Sequence, residues 1–319
     1  MGDNSASPGP GRRYSLDARQ LRIRIADITI NVGCDDTDSR LRVYGAMEQF
    51  LTDEGEPDVR VRTAWRNLRD ENAGAKVFDS GSLWQLYFDN GNYLFRLKFP
   101  DSRFPYKLAY FNSDFTSGDI YMNPDYVSRD NPVYPLEYPL DELLLMNLLS
   151  RGRGVEVHSS GIVDASGEGY LFIGQSGAGK TTMSRLWEKL EGAKILSDDR
   201  IILREQDGKV WMYGTPWHGE AELASATEAV LTHVFFLRQS PRNELVRQTP
   251  TQSAARLLAC GFPPFFSPDG IDWALAFYEE VTRIVPCHEL EFVPDDTVVE
   301  FIRRQMDSLA ACRILGDDL

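Results

Sequence analysis

The stretch Gly174-Gln175-Ser176-Gly177-Ala178-Gly179-Lys180-Thr181, followed by Thr182, matches G-x-x-x-x-G-K-[ST] without a gap. Glycines let the backbone curl so that successive N–H groups face phosphate oxygens. A helix starting at the end of the loop adds its positive pole. In such a loop Lys180 reaches the β- and γ-phosphates and the Thr181 hydroxyl ligates Mg²⁺. ATP and Mg²⁺ are the cofactors to expect. A second group, Asp198-Asp199, ends a short apolar run 18 residues past Lys180. One carboxylate there can hold Mg²⁺ and the other can take a proton from an attacking hydroxyl. The sequence does not say which does which. A third group is Gly214-Thr215-Pro216-Trp217-His218-Gly219-Glu220, where His218 and Glu220 are candidate contacts to substrate.

The elements that must position these groups follow from periodicity. Tyr170-Leu171-Phe172-Ile173 reads as a buried strand entering the glycine loop. Met183, Leu186, Trp187 and Leu190 then fall on one helix face. Val155–Ser160 and Ile162–Asp164 read as two further strands. A strand over 194–199, returning beside the 170–173 strand, would bring the aspartates to the phosphates. Strands over 200–203, 209–213, 233–237 and 288–293 alternate with helices near 250–259, 271–284 and 296–310, the α/β signature.

The first half has a different texture. Leu21–Ile25, Ile28–Val32 and Asp58–Arg62 alternate strictly, and 43–51 fits a strand or a helix. Trp84–Phe88 and Tyr93–Leu97 flank Asn90-Gly91, a hairpin signal. A strand is expected near 119–122 and a helix from Asp141. Pro132, Pro135 and Pro139 mark a boundary. The expected organisation is a disordered tail over 1–20, a β-rich domain over 21–140 and a catalytic α/β domain over 141–319.

Composition narrows the function classes. The chain has 319 residues and a formal net charge of −14, without the basic footprint of sequence-independent nucleic-acid binding. No apolar run reaches membrane-spanning length, and Met1–Arg13 lacks the apolar middle of a signal peptide. Cys34, Cys260, Cys287 and Cys312 form no C-x-x-C pair. The expectation is a cytoplasmic protein with free thiols, no nucleic-acid partner and no membrane.

Val157-His158, Ile162-Val163, the glycine loop and Leu196-Ser197-Asp198-Asp199-Arg200 occur in an order and spacing that resembles HPr kinase/phosphorylase. The loop, with Ser at its third position, also resembles phosphoenolpyruvate carboxykinase, which shares that core. The resemblance covers residues 152–240. It implies a P-loop kinase domain of the HPr kinase/carboxykinase type that transfers phosphoryl from ATP to a hydroxyl, with Mg²⁺. By motif position it implies that His158, Lys180, Thr181, Asp198 and Asp199 form the catalytic and metal site, with His158 near the phosphates. The family's E-x-R-G-x-G segment is absent, replaced by 214–220, and the N-terminal half does not resemble that family's N-terminal domain. The arrangement is more similar to HPr kinase-like proteins of bacterial peptide-modification clusters. That implies a peptide or protein acceptor, and relatives of this kind are often homo-oligomeric. A small-molecule kinase on the same core and a nucleotide-binding regulatory protein without turnover are the alternatives.

Overall fold

The computed structural model describes residues 18–36, 39–69 and 74–316, with side chains to Leu309. The tail expected over 1–20 lies, up to residue 17, outside the described residues, as does the Cys312 side chain. The chain divides into two compact units: Met1–Ile23, Ile30–Phe111 and Thr116–Pro135 form one, and Arg24–Thr29, Asn112–Phe115 and Leu136–Leu319 form the other.

The first unit is built on a sheet of β1 (Gln20–Ile25), β2 (Ile28–Cys34), β3 (Val59–Trp65), β4 (Ala75–Asp79), β5 (Trp84–Asp89), β6 (Asn92–Leu97), β7 (Lys107–Phe111) and β8 (Ser117–Met122). Their order across the sheet is β1-β2-β3-β8-β7-β6-β5-β4. The β5–β6 turn has Asn90 and Gly91 both at positive φ, the geometry a tight hairpin of this twist demands. The ambiguous 43–51 stretch is a 3-10 helix over Gly45–Phe50.

The second unit opens with helix α1 (Leu140–Leu149), then β9 (Val155–Val163), β10 (Gly169–Ile173), α2 (Lys180–Glu188), β11 (Lys194–Ser197), β12 (Arg200–Gln206), β13 (Lys209–Gly214), β14 (Glu228–Gln239) and β15 (Glu244–Arg247). It continues with α3 (Pro250–Ala259), α4 (Pro268–Ile284), β16 (Cys287–Phe292) and α5 (Thr297–Gly316). Strand β10 lies between β9, antiparallel, and β14, parallel. Its side chains alternate between two cores, as a strand buried on both faces requires. Tyr170 and Phe172 pack with Met183, Trp187, Val298 and Ile302, under α2 and α5. Leu171 and Ile173 pack with Leu257, Phe277, Tyr278 and Val281, under α3 and α4.

The aspartate-bearing strand does not run beside β10, as its sequence position suggested. Strands β11 and β12 both pair with β9 instead. Both edges of β10 are taken, and β14 brings the apolar run Val234-Phe235-Phe236 that a buried central position needs. Strand β11 starts at an exposed lysine and suits the margin. The two short strands expected over 155–164 are one nine-residue strand. Its first half pairs with β12 and its second half with β10 and β11.

Candidate active site

Residues 174–179 leave β10 and enter α2. Gly177 and Gly179 have φ of +82° and +111°, backbone that side-chain-bearing residues avoid. At Gly179 space is also limiting, because a Cβ would lie 2.6 Å from the Phe292 ring. Gln175, Ser176 and Gly177 are exposed, and no side chain caps the N-terminus of α2. Its first-turn amides are therefore available to an anion. The Gln239 side chain donates to the Gly177 carbonyl at 3.2 Å and steadies the loop from the end of β14.

Lys180 is 7% exposed, and its Nζ donates to the loop's own carbonyls, Gly174 at 2.8 Å and Gln175 at 3.4 Å. Burial lowers its pKa, against the opposing negative charge of Asp199 and then Cys260. A buried ammonium resting on carbonyl oxygens has a strong reason to take an anionic partner. Thr181 and Thr182, half-buried, occupy the first turn. Behind them Ser184 donates to the Lys180 carbonyl and meets the Ser160 hydroxyl at 2.7 Å, tying the helix start to β9.

The aspartates arrive across β9. Ser159 pairs with Ile173, the residue before the loop, and its amide donates to the Asp199 carbonyl at 3.1 Å. Asp199 is thus two strand spacings, roughly 10 Å, from the end of β10. The two carboxylates have separate surroundings. Asp198, 2% exposed, accepts from the Gly219 amide at 2.8 Å and the Ala221 amide at 2.9 Å. It clasps the turn after Trp217. A Cβ on Gly219 would sit 3.0 Å from the Asp198 carboxylate, so the clasp needs glycine's small size. Asp199 instead meets His158 Nε2 at 2.9 Å and the Arg200 guanidinium. Burial pushes its pKa up, but the His158 hydrogen bond and the Arg200 charge outweigh this and hold it below the ordinary carboxylate range.

Behind this pair lies an acid cluster that sequence reasoning missed. Arg200 Nε lies 2.9 Å from Glu142 of α1 and 3.4 Å from Glu156 of β9, and the Phe262 ring covers the guanidinium at 4.3 Å. Glu156 and His158 lie two apart on one face of β9, opposite Ile202 and Arg200 of β12. Glu156 accepts no hydrogen bond among the described residues. Burial, then the neighbouring Glu142 charge, holds its pKa well above the ordinary range, with Arg200 opposing. Two carboxyls sharing one guanidinium in a dry site favour keeping a proton between them. The available signal was a lone glutamate within an apolar strand, Val155-Glu156-Val157.

His158, Lys180 and Asp199 thus converge, and Asp198 lies beside them on a different duty. His218 and Glu220 are exposed, and the ring of His218 lies 3.2 Å from the Gly219 carbonyl. The 214–220 segment reaches the aspartates through its backbone. For ATP, the uncapped helix start and open glycine loop are a fitting cradle. For Mg²⁺ the donors are hard oxygens, from Thr181 and the aspartates. No cluster of three or more His, Cys, Asp or Glu ligands occurs among the described residues. That donor set suits Mg²⁺ held by one or two carboxylates plus phosphate oxygens.

No family model matches the chain, and no curated protein matches it. Among solved structures, the HPr(Ser) kinase/phosphatase from Coxiella burnetii is similar over 50% of this chain and 97% of that one. The identity is 12% and the TM-score 0.31. A likeness at that score is too weak to set fold or chemistry, and both rest on the chain's own geometry. Among the described residues, no helix is long and apolar enough to cross a membrane.

Proposed function

We propose that the second unit is an ATP- and Mg²⁺-dependent phosphotransferase acting on a hydroxyl, with a serine of a peptide or protein as acceptor. The observation that carries this reading is the placement of Asp199. Its carboxylate is kept ionised by His158 and Arg200, and its charge acts on Lys180 of the glycine loop. Loop amides and Lys180 bind the β- and γ-phosphates. Thr181 and one carboxylate of the Asp198-Asp199 pair would hold Mg²⁺, which would supply positive charge to the phosphate oxygens. Asp199 takes the acceptor's proton as that oxygen bonds to the γ-phosphorus and the bond to the bridging oxygen breaks, leaving ADP. Asp198 keeps the 219–221 turn in place at the rim.

The test is transfer from γ-labelled ATP, with Mg²⁺, to arrayed serine-containing peptides. Labelled phosphoserine should form with the native chain and not with Lys180→Ala. Transfer confined to free alcohols would move the acceptor to a small molecule. ATP binding with no ADP formed on any acceptor would overturn phosphotransfer in favour of a regulatory nucleotide site.

A further inference from the structure

The amino end of β10, opposite the glycine loop, opens into a groove of about 870 Å³. Tyr170 lies in its floor, four residues and roughly 13 Å along the strand from Gly174. Parallel α/β sheets bind their ligands beyond the carboxyl ends of the strands, where the glycine loop lies, so this is a second and separate opening. Its volume is at the upper end of those that take ligands.

Two independent features suggest an occupant. The first is charge: Asp164, Glu168, Glu191 and Asp307 line the groove against a single cation, Arg303, which is already paired with Asp164. The second is Tyr170. It is 1% exposed and lines the groove; its hydroxyl makes no hydrogen bond among the described residues and is not sealed from solvent, so it opens onto the groove. Burial, then the charges of Asp164 and Glu168, raises its pKa, so the proton stays on as a free donor. The rim is apolar as well. Ile284 and Leu309 are 39% and 38% exposed, next to Pro286 and Met306.

We propose that this groove docks a basic segment of a partner polypeptide, its Arg or Lys side chains meeting the free carboxylates and its flanking aliphatic side chains covering Ile284 and Leu309. The Tyr170 hydroxyl donates to a carbonyl of the docked backbone. This site goes beyond the phosphotransfer reading and stands without it. A free polyamine satisfies the charges but leaves the aliphatic rim bare, which is why a peptide fits better.

Fluorescence polarisation of a labelled peptide of alternating arginine and leucine, titrated with the full chain, tests this directly. Glu191→Lys with Asp307→Lys should weaken binding about tenfold or more. Glu188→Lys with Asp272→Lys, an equal charge change at exposed sites off the groove, should leave it within about twofold. Tyr170→Phe, checked for an unchanged melting temperature, should cost roughly threefold. A peptide with serine in place of leucine, and spermidine, should each bind at least about tenfold more weakly. No binding by the arginine–leucine peptide would overturn the proposal. So would equal loss in both double variants, or equal binding of spermidine, either of which reduces the groove to a patch of net charge.

Discussion

The glycine loop and the Arg200 cluster sit on opposite sides of β9 and are built on opposite principles. The loop is exposed, its helix start uncapped, and its one charged side chain turned back onto its own carbonyls. The cluster is partly buried and its side chains are paired: Asp199, His158, Arg200 and Glu142 each have a partner within 2.9 Å. On the proposed reading, one half is complete only when an anion arrives. The other is complete beforehand, and on the proposed reading it holds the proton acceptor ready without rearrangement. Receptive and preorganised parts of one site should therefore respond differently to damage.

The largest contrast is expected between the two aspartates. Asp199→Asn should lower phosphotransfer by about 10³-fold with ATP affinity nearly kept, whereas Asp198→Asn should cost only about tenfold. Equal losses, in single-turnover measurements, would erase the division of labour drawn here. Next comes the loop. Gly179→Ala meets both a φ of +111° and the Phe292 ring, so ATP affinity should fall by about 1–3 kcal/mol, read by calorimetry. An unchanged affinity would mean that the loop is not the cradle.

A smaller effect is expected behind the base. Glu142→Ala removes the acceptor of Arg200 Nε and should reduce kcat about tenfold, with KM for ATP unchanged. Glu142→Gln keeps an acceptor oxygen and should recover most of the loss. The smallest effect concerns Glu156. Because its folded pKa is raised, its protonated form contributes stability below the ordinary glutamate range, and that contribution is lost as pH rises through the folded value. Glu156→Gln should remove this dependence, so that its melting temperature gains on the native chain as pH rises from 5 toward 9. Parallel melting curves across that range would show Glu156 to be charged throughout.

Legibility in the sequence followed the same division. The loop could be read because its spacing is local: glycines, Lys180 and a helix face at Met183, Leu186 and Trp187 all lie within a few turns of chain. The Asn90-Gly91 hairpin was legible for the same reason. The cluster is assembled from α1, β9 and β12, and no local pattern announces that Glu142 will meet Arg200, 58 residues on. Gly161 shows another limit. It lies between the two strands expected over 155–164, but it is a close-packing glycine within one strand, where a Cβ would lie 2.5 Å from Ile201. Short edge strands β4 and β15 carry too many charged residues to stand out. That 3-10 turn over 45–50 fell between two periodicities.

Strand β9 is stitched to the loop strand along one half and to the Arg200-bearing strand β12 along the other. A slip of one position in its pairing would turn Glu156 and His158 outward and send Val155 and Val157 in their place. Alignment of a single ribbon therefore decides whether the two halves ever face each other, and selection on this molecule should be felt most sharply in the ladder that fixes it.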